Sequence, residues 1–417
     1  DSTPNPPCEL NQVKQTRGEG QSRPVRFGLL EFRYNKRVPI KWEGSMAKKR
    51  VGILTAGSDS PGLNAAIRAI GKAALSEGFE LTGFLDGFTG LLEDHTIPLQ
   101  APALSNILTA GGTILGTSKD RPHEMEETHG PEHVQSAIDT YHKHKLDGLV
   151  CLGGLETQQS ALYLQQHGLN VITLPKSIEN NIALTEVSVG FDTALGIAAE
   201  AIDRLHSTAH SNHRIIVVEI TGHTTGWLTL GAGIASGADV VLLPEIPYSM
   251  DKVAGAILKR SQAGKRFSLV AVAEGSRSQE DVAFYERSLS LNASRRSGKE
   301  ANKAAARIER LETQFTGNTL LLANRLEQMT GLETRTTILG YLLRGGTPSA
   351  TDRVLATQFG SVCVSYIAKN QFGIMVAQQG GKITAVPLED VAGKIKTVPG
   401  DHPWLRGARQ VGTNLGD

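Results

Sequence analysis

The sequence predicts an α/β protein with two doubly wound lobes, each a parallel sheet covered by helices on both faces. Short apolar segments alternate with helix-like segments from residue 46 onward, which is typical of parallel sheets. Glycine-rich turns follow several apolar segments, at the strand ends where such sheets bind ligands. The chain of 417 residues exceeds the usual size of one hydrophobic core, so we expect two lobes.

The pattern of apolar residues places the individual elements. Strands are predicted at 50–55, 80–84, 148–152, 170–174, 214–220, 238–243 and 267–273. Helices are predicted between them at 63–77, 157–167, 193–209 and 251–263. We expect an N-terminal lobe over 46–185 and a C-terminal lobe with returning C-terminal segments over 186–417.

Two stretches differ from this alternation. Residues 1–45 mix prolines, glycines and basic residues without a sustained apolar period, which indicates a disordered leader or translated upstream sequence ahead of a start at Met46. An organelle-targeting peptide is the less favoured alternative, because the stretch has acidic residues and no clear amphipathic helix. Residues 292–312 are rich in Arg, Lys, Ala and Glu and are predicted to form a solvated helix with its preceding loop.

Composition excludes several classes of function. The net charge of +1 supplies no long-range field for nucleic acid or an anionic membrane. No segment approaches the ~18 consecutive apolar residues that a membrane span needs. Cys8, Cys151 and Cys363 are too few and too scattered for a disulfide scaffold or a zinc site. We therefore expect a reducing, cytoplasmic environment.

The first glycine turn has the chemistry of an anion site. The apolar strand Val51–Thr55 runs into Gly57-Ser58-Asp59-Ser60-Pro61-Gly62, and a helix opens after Gly62. Glycine lets the backbone approach a phosphate closely, and free N–H groups at a helix start point towards it. Strand-turn-helix junctions also serve as simple connectors, so this turn alone does not identify a function.

Further clusters follow in a fixed order, and together they resemble the phosphofructokinases. They are Gly111–Thr117, Leu149–Thr157, Leu174–Asn181, Gly190–Ala194, Arg214–His223 and Glu333–Pro348. The similarity covers residues 48 to 417. It implies transfer of a terminal phosphoryl group from ATP, or in some branches from pyrophosphate, to the O1 hydroxyl of fructose 6-phosphate. It also implies Mg²⁺ as cofactor and an assembly of dimers or tetramers.

The resemblance assigns the sugar-phosphate site. Arginine forks bind phosphate bidentately, and Arg214, Arg335 and Arg344 stand at matching positions. Arg214 and Arg335 match residues that a neighbouring subunit contributes. The other residues expected at this substrate are Ser177, Thr221, Gly222, His223, Glu274 and Tyr341.

The resemblance assigns the donor site in the same way, with the N-terminal lobe on the phosphoryl-donor side and the C-terminal lobe on the sugar-phosphate side. The residues expected to contact the donor phosphates are Gly57, Ser58, Lys119, Gly154, Glu156, Thr157 and Lys176. Glu156 and Lys176 resemble a pair found in pyrophosphate-using branches, since a carboxylate would repel the α-phosphate of a nucleotide and the lysine could neutralise a compact donor. Pyrophosphate is therefore favoured over ATP if the protein is active.

The catalytic centre departs from the family pattern. Glu179 stands where an aspartate acts as general base, and Asn181 stands where a second aspartate is expected. Leu155 replaces an aspartate that helps hold Mg²⁺, and a hydrocarbon cannot ligate a hard cation; Glu156 beside it is a possible ligand. Ser58, Lys119, Thr221, His223 and Tyr341 also replace family residues.

These departures lead to one main hypothesis and two alternatives. The main hypothesis is a protein that binds fructose 6-phosphate but whose phosphoryl transfer is weak or lost. Such a protein would work as a homo-oligomer or beside an active homologue. The first alternative is an active 6-phosphofructokinase with Glu179 as base and compensating metal ligands, for instance Glu156 with Glu179. The second is a nucleotide-binding module without sugar chemistry.

Overall fold

A computed structural model describes residues 48–124, 132–284, 287 and 318–417. The leader predicted at 1–45 and the solvated helix predicted at 292–312 lie outside the described residues. The part from Lys48 to Asp417 is one compact unit. The proposed lobe boundary at residue 185 stays a prediction.

The strands of the described chain have the following bounds. They are Arg50–Thr55 (β1), Glu80–Phe84 (β2), Thr96–Pro98 (β3), Gly148–Gly153 (β4), Val171–Pro175 (β5), Ile215–Ile220 (β6), Val240–Leu242 (β7), Ser268–Ala273 (β8), Thr334–Ile338 (β9), Ile374–Gln379 (β10) and Lys382–Pro387 (β11).

Helices connect and cover these strands. They are Leu63–Ser76 (α1), Phe88–Leu92 (α2), Glu132–Lys143 (α3), Leu155–Gln166 (α4), Phe191–Asn212 (α5), Trp227–Ala235 (α6), Met250–Gln262 (α7), Asn318–Thr330 (α8), Ala350–Ala368 (α9), Leu388–Val391 (α10) and Pro403–Gln410 (α11), with a 3₁₀ helix at Gly340–Arg344. Each strand and helix that the sequence predicts within the described residues is present, with ends displaced by three residues or fewer.

Two sheets organise the fold. The first has the order β11-β10-β5-β4-β1-β2-β3, and the second has the order β7-β8-β6-β9. Pairing is parallel throughout the second sheet and in the centre of the first. The α/β prediction with parallel sheets is confirmed, but β3 and β11 pair antiparallel at the two edges of the first sheet.

Helices cover both faces of each sheet, because successive side chains of a buried strand point to opposite sides. In β1, Val51 and Ile53 pack under α1 and α9, whereas Leu54 packs with α2 and α4. In β6, Ile216 and Val218 likewise face α5 and α6, while the alternate residues face α7 and α8. No helix among the described residues is both long and apolar enough to cross a membrane.

A buried carboxylate joins the starts of two long helices. Asp352, in the first turn of α9, accepts hydrogen bonds from the backbone N–H of Gly190 (2.9 Å) and of Thr193 (2.8 Å), and from the Thr193 hydroxyl (2.5 Å). These donors belong to the beginning of α5, where free N–H groups need acceptors. Since α9 packs in the core of the first sheet and α5 in that of the second, Asp352 ties the two layers together.

We predict that Asp352→Ala lowers the free energy of unfolding by about 3 kcal/mol, because it leaves buried N–H groups without an acceptor. Chemical denaturation of the variant measures this change. Asp251→Ala, in the exposed first turn of α7, is the control, for which a loss of less than about 1 kcal/mol is expected. Equal losses in both variants would contradict the role of Asp352.

Candidate active site

A cavity of about 380 Å³ opens at the carboxyl ends of β1, β4 and β5. Parallel strands bring the loops that follow them to one sheet edge, so these loops line the cavity. All seven residues predicted to bind the phosphoryl donor lie in the lining, together with Ser177, Glu179, Asn181 and Arg344.

The amino end of α4 opens into the cavity and is suited to binding an anion. Its N-cap, Gly154, has no side chain to accept from the first N–H groups, which are therefore left for a ligand. The helix dipole adds partial positive charge at the same point. Opposite this end, Gly57 has a φ of 77°, a conformation that glycine adopts without strain. The two turns can approach a phosphate from either side.

Lys176 is a buried cation between these turns. Its ammonium group donates a hydrogen bond to the backbone carbonyl of Ser58. Burial lowers the pKa of Lys176 to about 8, and Arg344 adds to this effect, while Asp59 and Glu179 oppose it. The lysine therefore carries a charge at neutral pH that is poorly hydrated and available to an anionic ligand.

The loop after β5 holds Glu179 in a defined position. The Glu179 backbone N–H donates to the Ser177 hydroxyl (3.2 Å), and this hydroxyl donates to the Asn181 amide oxygen (2.8 Å). The Asn181 amide nitrogen in turn donates to the Glu179 carboxylate (3.4 Å). Between them Asn180 adopts a positive φ of 51°, which asparagine tolerates. The loop is thus fixed by its own polar side chains.

The environment of Glu179 favours its neutral form. Burial raises the pKa of Glu179, and the nearby Glu274 carboxylate raises it further, while a hydrogen bond from the backbone of His223 acts in the opposite direction. A carboxylate with a raised pKa is a suitable general base at neutral pH. The interactions with Glu274 and His223 place Glu179 beside the loops of the second sheet.

Those loops follow β6 and β8. The carbonyl of Gly222 accepts from the backbone N–H of Gly275 (3.0 Å), and Glu274 donates through its N–H to Ile220 (3.0 Å). A side chain at Gly275 would lie 1.8 Å from the carbonyl oxygen of His223, so only glycine fits there. The predicted residues Thr221, Gly222, His223 and Glu274 are thus brought together beside Glu179.

Arg344 lines the cavity, whereas Tyr341 beside it is exposed to solvent. The Arg344 guanidinium lines the cavity and lies 4.9 Å from the centre of the Tyr341 ring. Tyr341 itself is 81% exposed and lies on the outer side of the 3₁₀ helix. Tyr341 is therefore a surface residue outside the cavity lining, and its contact with substrate stays a prediction.

Arg214 and Arg335 do not reach this cavity. Both bind the Glu333 carboxylate, Arg214 through Nε at 2.7 Å, at the amino ends of β6 and β9. Glu274 follows the carboxyl end of β8, which pairs in parallel with β6. A six-residue strand at ~3.3 Å per residue separates these ends by roughly 20 Å. The two arginines form a cationic group on another part of the molecule.

Leu155 adds a hydrocarbon surface to the cavity. It is half-buried and packs beside the apolar cluster that contains Phe88 and Leu91. The neighbouring Glu156 is the acidic residue of the first turn of α4 and also lines the cavity. Oxygen donors for a hard cation come from carboxylates such as Glu156 and Glu179, not from position 155.

Sequence reasoning missed several lining residues. Asp59, Asp120 and Arg121 line the cavity next to predicted residues. Asp59 follows Ser58 directly, and the other two follow Lys119, so their position beside a motif was the available signal. Asp120 also accepts a hydrogen bond from the Thr89 hydroxyl, a contact across 31 positions that the motif pattern does not reveal.

Comparison with known proteins identifies the family. The sequence model described as "PFK: Phosphofructokinase" matches residues 50–367. An "ATP-dependent 6-phosphofructokinase" of Propionibacterium freudenreichii subsp. shermanii is 54% identical over 370 residues, which are 88% of this chain and 99% of that protein. The protein of the same name from Spirochaeta thermophila is 46% identical over 377 residues, covering 89% and 98%.

Solved structures give the same result. The T-state phosphofructokinase of Pichia pastoris matches with a TM-score of 0.69 and 27% identity; the match covers 83% of this chain and 35% of that longer one. The pyrophosphate-dependent phosphofructokinase of Marinobacter aquaeolei matches with a TM-score of 0.70, 17% identity and coverage of 88% and 92%, which is a likeness of fold. The predicted resemblance is confirmed: the chain belongs to the phosphofructokinase family.

Proposed function

We propose that the protein is an active 6-phosphofructokinase, which transfers the terminal phosphoryl group of ATP to the O1 hydroxyl of fructose 6-phosphate. The observation that carries the proposal is the position of Glu179. This half-buried carboxylate with a raised pKa lies between the cavity that the predicted donor residues line and the loops of the second sheet. The names of relatives that are 54% and 46% identical support the same activity.

Each group in the cavity has a task in this reaction. The amino end of α4, Lys119 and Lys176 bind and orient the donor phosphates, which removes much of the entropic barrier. Glu179 takes the proton of the sugar hydroxyl as the new bond forms. Arg344 supplies positive charge beside the transferred group. Leu155 and Phe88 add apolar surface to the wall of the cavity.

We propose that Mg²⁺ binds in this cavity, which Glu156 and Glu179 both line, with fewer protein ligands than the family pattern supplies. Mg²⁺ commonly binds through one or two carboxylates together with substrate phosphates and water. Glu156 and Glu179 are the residues that would hold it, and Leu155 takes no part. The ion would neutralise charge on the phosphates when bound.

The proposal also includes the identity of the phosphoryl donor and the oligomeric state of the protein. Pyrophosphate was the donor favoured by Glu156 and Lys176, but the relatives' names support ATP. Arg214 and Arg335 lie at the amino end of β6, roughly 20 Å from the site residues at its carboxyl end. We therefore also propose a homo-oligomer in which a neighbouring copy supplies the two arginines.

A protein with weak transfer remains a second candidate, because Leu155 occupies a position where a carboxylate would assist the metal. The names of relatives give this hypothesis no support. It differs from the main proposal only in rate, so kinetics decides between them.

The test is the formation of fructose 1,6-bisphosphate by purified protein with ATP and, separately, with pyrophosphate, each with and without Mg²⁺. A turnover within tenfold of the enzyme median of about 10 s⁻¹ with ATP is expected. Saturable binding of fructose 6-phosphate in a calorimeter without any product would favour the weak-transfer candidate. Nucleotide binding without sugar binding would favour a nucleotide-binding module.

Leu155→Asp separates the first two candidates further. If Glu156 and Glu179 suffice for the metal, position 155 makes no contact specific to the transition state, and we expect kcat to change by less than about threefold. A rise of ~100-fold or more would mean that position 155 limits the rate, since one well-placed charged group contributes about that factor. Leu155→Asn, similar in size and uncharged, is the matched control for packing.

The two shifted pKa values predict a bell-shaped dependence of kcat/KM on pH. Glu179 must be ionised to accept a proton, so activity rises with pH through its pKa, which lies above the ordinary 4.5. Lys176 must be protonated, so activity falls as pH rises through about 8.

Single-residue variants test which side chain produces each limb of the pH profile. Lys176→Met is expected to remove the alkaline limb, and Glu179→Gln is expected to lower kcat by at least about 100-fold. Glu389→Gln, on the exposed surface, should leave the profile unchanged. An alkaline limb that persists in Lys176→Met would contradict the assignment.

A further inference from the structure

Three potential metal ligands meet at the rim of the cavity. The ligand atoms of His123, Glu124 and Glu156 all lie within 4.8 Å of one another. His123 Nε2 is 3.6 Å from a Glu156 oxygen and 3.7 Å from a Glu124 oxygen. Glu156 also lines the cavity, whereas the other two residues lie beside it. Glu156 is also one of the two residues proposed above to hold Mg²⁺, whereas His123 and Glu124 have no part in that proposal.

A buried hydroxyl orients the imidazole of His123. Its Nδ1 lies 2.8 Å from the hydroxyl of Ser160, which is fully buried. Ser160 follows Glu156 by four residues on α4, so both side chains lie on the same helix face. When Nδ1 carries the proton and donates to Ser160, Nε2 presents its lone pair to the two carboxylates. An outer partner of this kind is usual for histidines that bind metals.

The distances within the group suit a small coordination sphere. At 3.6 and 3.7 Å the imidazole nitrogen is too far from either oxygen for a hydrogen bond. In a tetrahedral site with metal–ligand bonds of ~2.1 Å, neighbouring ligands are roughly 3.4 Å apart. A cation between the three atoms would therefore need only small side-chain movements.

Arg121 balances the negative charge of the group. Its Nη1 lies 2.8 Å from Glu124 and 3.7 Å from Glu156. The guanidinium thus occupies the place of a counter-cation, and its half-exposed side chain can turn away. A bound metal ion would compete with Arg121 for the same carboxylates.

We propose that His123, Glu124 and Glu156 bind a divalent transition-metal ion at the mouth of the cavity. One imidazole with two carboxylates favours Zn²⁺ or Mn²⁺ over Mg²⁺ and Ca²⁺, which prefer oxygen ligands alone. Three protein ligands leave at least one coordination position open. Binding of the ion does not depend on the phosphoryl transfer proposed above.

The test is isothermal titration of metal-free full-length protein with Zn²⁺, without nucleotide or sugar phosphate. We expect one site that His123→Ala or Glu156→Gln weakens by at least about 100-fold, since even loss of an outer partner costs about 10- to 100-fold. His167→Ala, exposed at the end of the same helix, and Glu77→Gln are matched controls that should leave the titration unchanged.

Two further variants keep all three ligands. Ser160→Ala should weaken Zn²⁺ binding by about 10- to 100-fold, because the His123 imidazole loses the hydroxyl that orients it. Arg121→Ala should tighten it, because the competing cation is gone. Wild-type affinity and stoichiometry in His123→Ala, or no effect of Arg121→Ala, would overturn the proposal whether or not the protein forms fructose 1,6-bisphosphate.

Discussion

The buried ammonium group of Lys176 is the contact on which the candidate site depends. It joins the loop after β5 to the loop after β1 through the carbonyl of Ser58, and it has Asp59, Glu179 and Arg344 as charged neighbours. A buried cation without partners would cost several kcal/mol, so these neighbours must keep their positions. The contact therefore fixes both the shape of the donor cavity and the charge beside the candidate base.

The parallel topology explains why this contact can form. The loops after β1, β4 and β5 emerge at one edge of the first sheet, and the loops after β6 and β8 emerge at the carboxyl edge of the second. Asp352 bonds the amino end of α5 to α9 and so connects the cores of the two sheets. Glu179 lies where the loops of both sheets meet, which is the arrangement that a two-substrate transfer needs.

Local patterns in the sequence predicted much of this fold. Buried parallel strands are short apolar runs followed by glycine turns, so β1, β4, β5, β6 and β8 could be predicted from their own residues. The hairpin of β10 and β11 was not predicted, because its place beside β5 results from pairing across about 200 positions. Strand β9 was likewise hidden, since Thr334–Ile338 is mostly polar and partly exposed.

Residues of the candidate site could be predicted where they lie within a sequence motif. Gly57, Lys176 and Glu179 were predicted together and do line one cavity. His123 and Ser160 were not considered, because their contact joins a loop to a helix face that no motif connects. The departures at Leu155 and Asn181 suggested a disabled catalyst, but a substitution by itself does not reveal whether a neighbour such as Glu156 takes over the role of the replaced residue.

A crystal structure of the protein with bound fructose 6-phosphate tests the central claim most directly. The account predicts that the O1 hydroxyl lies within hydrogen-bond distance of the Glu179 carboxylate, about 2.6–3.2 Å, and faces the cavity that Lys176 lines. A sugar bound with O1 directed away from Glu179, beyond the reach of one bridging water at roughly 5 Å, would contradict it.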